Sequence, residues 1–333
     1  MLDAIQRGND FLAERWLSRR RWLRANLQAA GALAAANVGL SYDASAEDKP
    51  AAEPSKSGHI DAHVHVWTPN TDRYPLAADY RRDQMKPPSF TPQQLFSHAH
   101  PQGVRRITLI QMSFYGFDNS YMLEMMHRHA GVFSGVAVID EQVKRPQDTM
   151  RDLAKQGVRG FRIYPRAKPI DRWLSRPGMA AMWQCGAEEG LAMCHLVNPS
   201  ALSDIDRMCH KFPRTPVVID HFSRIGADGV IRPKDVQALC DLAKHKSTSV
   251  KVSAFYALGK KKAPYLDLIP MIRRLLDAYG PERLMWASDG PYQVVDGHNY
   301  RDSVELVTEK IDFLSDGDRQ WLMEKTAEKV FFS

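Results

Sequence analysis

Short apolar segments alternate with helix-like segments eight times along residues 58–333, and this alternation constrains the fold more than any other feature. Strands that alternate with helices pair in parallel through right-handed crossovers. Eight such units predict one α/β domain, a single closed (β/α)8 TIM barrel with an extra C-terminal helix. The strands are predicted at residues 60–67, 106–112, 133–139, 158–164, 191–197, 216–221, 249–255 and 283–288, and the closing helices at residues 300–313 and 316–331.

The main alternative is an open, doubly wound sheet. Such folds carry a glycine-rich phosphate loop directly after a strand when they bind nucleotides. Neither G-x-G-x-x-G nor G-x-x-x-x-G-K-[ST] follows any predicted strand. The 333 residues are 44% hydrophobic, which is enough apolar material to fill a barrel of this size, so the closed barrel is favoured.

Charge and cysteine content argue against several classes of protein. The net charge is +6 and the basic residues are scattered, with no basic stripe interleaved with aromatic residues, so we expect no nucleic-acid partner. The run Lys260-Lys261-Lys262 is typical of a solvated loop. The four cysteines form no C-x-x-C pair, which indicates neither a zinc finger nor a thioredoxin-type site.

The N-terminal 46 residues have the pattern of an export signal. Ser18–Arg24 matches the twin-arginine motif S-R-R-x-F-L-K, and the uncharged, alanine-rich segment Ala25–Ser41 follows it. Ala44–Ala46 then supplies a small-residue cleavage site. We therefore expect a twin-arginine signal peptide at residues 1–46, a linker at residues 47–57, and export to the periplasm or the extracellular space. The apolar segment is too short and too weakly hydrophobic for a stable membrane span after cleavage, and an amphipathic helix is the alternative.

Polar side chains interrupt the predicted strands at or near their C-terminal ends. His63 and His65 are two residues apart, so both side chains point to one face of a strand and can contact a single ion or substrate atom. Active sites of barrels lie at the C-terminal ends of the strands. Each residue alone has an ordinary structural explanation, but their repetition at equivalent positions predicts a functional site. The remaining members are Gln111, Arg162, His195, His221 and Asp289.

Several segments together resemble one known family. They are Asp61-Ala62-His63-Val64-His65-Val66-Trp67 with Arg73-Tyr74-Pro75, Gly157-Val158-Arg159-Gly160-Phe161-Arg162, Val218-Ile219-Asp220-His221 and Met285-Trp286-Ala287-Ser288-Asp289-Gly290-Pro291. This combination is similar to the amidohydrolase superfamily, within it to the amidohydrolase-related family, and there to the branch of sugar lactonases and 2-pyrone-4,6-dicarboxylate lactonase. The resemblance covers residues 58–332 and implies a barrel of the metal-dependent hydrolase type.

The resemblance also implies roles for single residues. It implies one divalent metal ion, zinc or manganese, bound by His63, His65, His195 and Asp289. Asp289 and His221 are the implied catalytic residues, with Asp289 as the base. Arg162 stands where a bridging lysine would be needed, so we do not expect a binuclear site. Because some lactonases of this branch work without a divalent ion, a metal-free mechanism stays open.

Three functions are compatible with this set of residues. The first is a hydrolase that opens a small sugar- or aromatic-derived lactone by attack of water. The second is a metal-dependent decarboxylase of an aromatic or unsaturated acid, which uses nearly the same ligands. The third is a barrel that binds a small molecule without catalysis. For the hydrolase, Arg162, Gln111 and Tyr164 are the expected substrate contacts. The sequence does not indicate an oligomeric state.

Overall fold

The computed structural model describes residues 58–164 and 176–333, and every structural statement below concerns these ranges. The predicted signal peptide and linker, residues 1–57, lie outside the described residues and stay a prediction. Most of the segment between the fourth strand and the helix after it, residues 165–175, also lies outside them.

Eight parallel strands form one sheet in sequential order, which confirms the predicted barrel. Every predicted strand is present, with ends that differ by a few residues. Adjacent strands pair in parallel register all along this order, so each crossover passes through a helix. The strands are β1 (His59–Val64), β2 (Val104–Ile110), β3 (Phe133–Ala137), β4 (Val158–Ile163), β5 (Ala192–His195), β6 (Val217–Ile219), β7 (Thr248–Ser253) and β8 (Leu284–Ala287).

Helices follow the strands and cover the outside of the sheet. Five of the first seven begin with proline in the first turn, where its missing N–H removes no hydrogen bond. The described helices are α1 (Pro92–Ala99), α2 (Ser120–Arg128), α3 (Pro146–Ala154), α4 (Pro177–Glu189), α5 (Leu202–Lys211), α6 (Pro233–Asp241), α7 (Ile269–Tyr279), α8 (Tyr300–Glu305), α9 (Asp316–Gln320) and α10 (Thr326–Phe331). A π-helical segment, Leu306–Lys310, continues α8, and a second, Trp321–Lys325, joins α9 to α10.

The barrel closes between β1 and β8 through a few backbone contacts at their C-terminal ends. The amide of Asp289 donates to the carbonyl of His63 at 2.9 Å, and the amide of His65 donates to the carbonyl of Gly290 at 2.8 Å. Val64 and Gly290 form a parallel bridge. The closure therefore runs through the residues that carry the predicted site.

Small and medium apolar side chains fill the barrel interior, and alternate residues of each strand point into it. In β5 these are Ala192 and Cys194, and in β8 they are Met285 and Ala287. Phe331 of α10 packs against the same interior cluster, so the C-terminal helix covers the end of the barrel opposite the site. No helix among the described residues is long and apolar enough to cross a membrane.

Candidate active site

A bulge in β1 brings the two histidines of the H-x-H motif into the barrel. From Asp61 to Val64 the strand uses three steps where its partner β2 uses two, Ile107 to Leu109. An extra residue in one strand reverses the alternation of its side chains. Ile60 and Ala62 therefore face the interior before the bulge, as His63 does after it. Regular alternation without the extra residue would have placed the side chains of Asp61 and His63 on the same face of the strand.

Asp289 and His221 lie just beyond the ends of their strands, in the left-handed backbone region. Their φ angles are 64° and 52°. Residues other than glycine adopt this conformation at a cost of about 1–3 kcal/mol, and such residues cluster at functional sites. The turn at each position ends the strand and directs the side chain across the barrel mouth.

The carboxylate of Asp289 is the centre of the site. Its Oδ1 lies 3.4 Å from His63 Nε2, 3.5 Å from His65 Nε2 and 3.7 Å from His221 Nε2. Its other oxygen, Oδ2, accepts a hydrogen bond of 2.7 Å from the hydroxyl of Tyr256. Three of the predicted site residues, all histidines, thus meet around the carboxylate of a fourth, as the sequence led us to expect.

Burial and charge set the protonation of these groups in opposite directions. Burial would raise the pKa of Asp289, but His221, His65 and His63 hold it well below its usual range. Burial lowers the pKa of His221 to about 4 and also lowers that of His63, where the charges of Lys251 and His221 add to the effect. At neutral pH the site therefore contains an ionised Asp289 carboxylate and neutral imidazoles at His63 and His221.

Arg162 brings a permanent positive charge to the same place. Its Nη1 lies 3.2 Å from His63 Nε2 and 3.5 Å from His65 Nε2. Arg162 pairs in register with Cys194, which faces the interior, so its side chain enters the barrel. The guanidinium presents several donors in one plane, which suits a carboxylate or hydroxyl of a substrate.

His195 does not join this group. It pairs in register with Ile163, which packs in the outer apolar layer, whereas the preceding residue Cys194 faces the interior. The His195 ring instead contacts Trp183 of α4, with ring centroids 5.4 Å apart, and burial lowers its pKa to about 3. The predicted metal-ligand role of His195 thus finds no support in the structure. At this position of β5 the side chain points out of the barrel, whereas that of Cys194 points into it.

The other two predicted substrate contacts lie near the mouth. The amide nitrogen of Gln111 donates to the backbone carbonyl of Asp118, so this side chain braces the loop after β2. Tyr164 follows β4 directly and is half-buried at the border of the undescribed residues 165–175. Substrate contact by either residue stays a prediction.

Four residues near the site were not singled out from the sequence. Lys251 is fully buried beside Asp220 and His63. Tyr256 holds Asp289, and Asp61 binds the backbone amides of both His63 and Ser288. The sequence did carry a signal for Lys251, because its charge interrupts the apolar alternation of Ser249-Val250-Lys251-Val252-Ser253 at an inward position.

The donor set at the centre fits a divalent metal ion. His63, His221 and Asp289 each offer one ligand atom, and these atoms all lie within 4.8 Å of one another. Two imidazole nitrogens and a carboxylate oxygen, all buried, are a common ligand combination for zinc in catalytic sites. Among the described residues, His63, His221 and Asp289 could therefore hold a metal ion at this place, and His195 is not part of this group.

Known proteins show similar sequences and folds. The amidohydrolase family profile matches residues 60–332. An L-fucono-1,5-lactonase of Burkholderia ambifaria is 28% identical over 72% of this chain and 82% of its own length. A 4-sulfomuconolactone hydrolase of Hydrogenophaga intermedia is 25% identical over 71% of this chain and 75% of its own length.

A solved structure shows the same fold at lower identity. An amidohydrolase of Burkholderia multivorans, crystallised with bound zinc, has a TM-score of 0.71 and 21% identity, covering 83% of this chain and 99% of its own. The family profile spans nearly all of the barrel, and the barrel carries the residues that suggested the resemblance. This chain belongs to the amidohydrolase family.

Proposed function

We propose that this chain is a lactone hydrolase that opens a small sugar- or aromatic-derived lactone by attack of water. One observation carries the proposal: three histidine Nε2 atoms surround the Asp289 carboxylate at 3.4–3.7 Å at the mouth of the barrel. The sequence relatives described above, which are lactone hydrolases by name, support the same reaction class.

Asp289 is the proposed base. Its carboxylate is ionised at neutral pH and can accept a proton from a water molecule held between it and the lactone carbonyl. The hydroxyl of Tyr256 fixes one carboxylate oxygen, which leaves Oδ1 directed towards the histidines. A carboxylate with a lowered pKa is a weak base, so the attacking water needs further activation.

A divalent ion, zinc or manganese, held by His63, His221 and Asp289 with His65 beside them, would supply that activation by lowering the pKa of water and polarising the carbonyl. The guanidinium of Arg162 is a positive charge that the protein itself supplies beside His63. Its guanidinium can orient a carboxylate or hydroxyl of the substrate and can stabilise negative charge that develops on the carbonyl oxygen.

The positive charges near the mouth favour a substrate that carries an anionic group. Arg224, which follows β6, is half-buried, and its pKa is lowered mainly by burial, with smaller influences from Tyr256, Arg162 and Asp289. Two guanidinium groups near one catalytic carboxylate leave a net positive charge for a substrate carboxylate. We therefore place carboxylated lactones ahead of neutral ones.

A panel of neutral sugar lactones and carboxylated lactones tests the proposal. Acid release is followed with a pH indicator, carbon dioxide release is measured in parallel, and metal content is determined on the same sample. We expect acid without carbon dioxide and one equivalent of divalent metal. Carbon dioxide from an aromatic or unsaturated acid would instead indicate a decarboxylase, and full activity without metal would select the metal-free mechanism.

We also propose export through the twin-arginine pathway, on the basis of Ser18–Arg24. A reporter fused after residue 57 should be exported, and replacing Arg19 and Arg20 by lysine should retain it in the cytoplasm. Export of the double lysine variant would contradict this proposal.

A further inference from the structure

Two histidines and an aspartate meet on the outside of the barrel, away from its mouth. Asp206 and His210 lie four residues apart on α5, so both side chains project from the same face of this helix. His245 lies three residues before β7 begins, at the end of the barrel opposite Asp289. Each of the three offers one ligand atom, and these atoms all lie within 4.8 Å of one another. The cluster therefore has the composition of a metal site and takes no part in the proposed reaction.

The separations in this cluster suit a small divalent ion. His245 Nε2 lies 2.6 Å from Asp206 Oδ1, and His210 Nδ1 lies 3.8 Å from the same oxygen. Nitrogen and oxygen ligands that surround zinc as a tetrahedron are about 3.3–3.6 Å apart, which lies between these two distances. The rings of His210 and His245 are nearly perpendicular, with centroids 4.7 Å apart. Small movements of the side chains would therefore place all three ligand atoms around one ion.

One of the two histidines is fixed and the other can adapt. The backbone carbonyl of His245 accepts hydrogen bonds from the amide of Thr248 at 3.1 Å and from the guanidinium of Arg283 at 3.2 Å. The side chain of His245 is 10% exposed, whereas that of His210 is 63% exposed. His245 is therefore held in place before an ion arrives, which lowers the cost of binding. The ring of His210 has room to turn and to present either nitrogen to the ion.

A lysine pairs with the carboxylate of the cluster. Lys244 Nζ lies 2.8 Å from Asp206 Oδ1, and the lysine side chain is 52% exposed. An ion pair with this exposure contributes little to stability, so the lysine can move into solvent at small cost. Two imidazoles beside a carboxylate favour zinc or copper over magnesium or calcium, which prefer oxygen ligands. Lys244 therefore competes with a metal ion for Asp206 and weakens its binding without blocking it.

We propose that Asp206, His210 and His245 form a second metal site, which binds Zn²⁺ or Cu²⁺ and links α5 to the segment before β7. Water fills the remaining positions around the ion. Because the site opens to solvent and a lysine competes for one ligand, desalting empties it. The one equivalent of metal expected in the purified protein is then the ion at the mouth. The second site does not depend on the proposed lactonase function.

Calorimetric titration of Zn²⁺ into the desalted full chain tests the site. Any ion that binds at the mouth contributes equally to every variant, because the residues there are unchanged. We expect His210→Gln to weaken one equivalent of binding by about tenfold or more, since loss of even an outer partner of a metal ligand costs this much. His127→Gln, the same substitution at an exposed position of α2, is the matched control and should leave the titration unchanged. Melting curves without added metal should agree for all three proteins.

Removing the competing lysine should have the opposite effect. Lys244→Met frees the carboxylate of Asp206 and should tighten Zn²⁺ binding about twofold to fivefold, which corresponds to the strength of an exposed ion pair. Lys234→Met makes the same change of net charge at an exposed position of α6 and should leave the affinity unchanged. A gain confined to Lys244→Met thus identifies Asp206 as a ligand of the ion.

Several results would overturn the proposal. No heat of Zn²⁺ binding by the desalted full chain overturns it without any variant. Equal titrations of the unsubstituted protein and His210→Gln overturn the site, and so does an equal loss in His127→Gln, which would show adventitious binding to surface histidines. Unchanged or weaker binding in Lys244→Met overturns the role of Asp206. Absence of lactonase activity overturns the proposed function alone and leaves each of these results with the same meaning.

Discussion

Histidines lie at the C-terminal ends of both β1 and β5 and look equivalent in the sequence, but their side chains point in opposite directions, into the barrel from β1 and out of it from β5. His63 and His65 point into the barrel and lie 3.4 and 3.5 Å from the Asp289 carboxylate. His195, also at the end of its strand, packs outward on Trp183. Both regions are buried and both contain polar rings, so neither burial nor position at a strand end identifies a site residue.

The difference arises from strand phase. In β5 the side chains alternate regularly, and Cys194 takes the inward position that His195 would need. In β1 a bulge shifts the phase, and Asp61 stabilises the bulge by accepting hydrogen bonds from the amides of His63 and Ser288. The bulge, and not the place in the sequence alone, therefore determines that His63 points into the barrel.

Replacing Asp289, whose carboxylate lies beside His63, His65 and His221, should have the largest effect on kcat. Asp289→Asn removes the proposed base and should lower kcat by about 10³-fold, the middle of the usual range for general-base contributions. The fold should be retained, because an amide of the same shape can still accept the hydrogen bond from Tyr256. Initial rates and a melting curve on the same sample check this. Turnover close to that of the unsubstituted enzyme would remove Asp289 from the mechanism.

His195 should lower the free energy of unfolding as the solution becomes more acidic. Burial lowers the pKa of His195 to about 3, whereas an unfolded histidine has its ordinary value of 6.5. The unfolded state therefore binds an additional proton below pH 6.5, and the folded state loses about 1.4 kcal/mol per pH unit from this residue as pH falls. His195→Leu should reduce the slope of unfolding free energy between pH 6.5 and 4.5 by that amount. Equal slopes in urea unfolding series would contradict a buried neutral His195.

The bulge itself can be loosened through Asp61. Asp61→Ala leaves the amides of His63 and Ser288 without their acceptor and should cost about 2–4 kcal/mol, since an unsatisfied buried donor costs about 1–3 kcal/mol. Asp61→Asn retains an acceptor oxygen and is the matched control. Denaturant unfolding gives the free energies. A loss of stability as large in Asn as in Ala would show that the charge of Asp61, rather than its hydrogen bonds, is what matters.

Tyr256 should give the smallest effect. Tyr256→Phe keeps the ring against Tyr292 and removes only the hydroxyl that binds Asp289 Oδ2. We expect kcat to fall about tenfold, in line with the loss of one charge-assisted hydrogen bond of about 1.5 kcal/mol. Steady-state kinetics of the variant and the unsubstituted enzyme measures this fall in kcat. No change in kcat would mean that the histidines alone orient the carboxylate.

The fold was predictable because its signal is repeated. Eight strands and both C-terminal helices were placed within a few residues from apolar segments, glycine stops and proline starts. Asp289 and the three histidines around its carboxylate were predictable because resemblance and strand-end position agreed for them. His195 satisfied the same two criteria and still lies outside, since the phase of a four-residue strand depends on its register with its neighbours.

Other parts of the site depend on contacts between distant parts of the chain. Asp61 and Tyr300 meet across 239 positions, and Lys251 reaches His63 across 188. Neither pair has a local spacing that a sequence pattern can show. The left-handed backbone at His221 and Asp289 likewise has no local sequence pattern that would predict it.

A single kinetic comparison tests the central claim, that the end of β1 catalyses and the end of β5 does not. His63→Gln and His195→Gln are assayed side by side on a lactone that the enzyme opens, with melting temperatures measured for both. The account predicts a loss of about 10²-fold or more in kcat/KM for His63→Gln, because the His63 ring lies 3.4 Å from the proposed base, and a change of less than about threefold for His195→Gln. Equal losses in two folded variants, or a larger loss for His195→Gln, would contradict it.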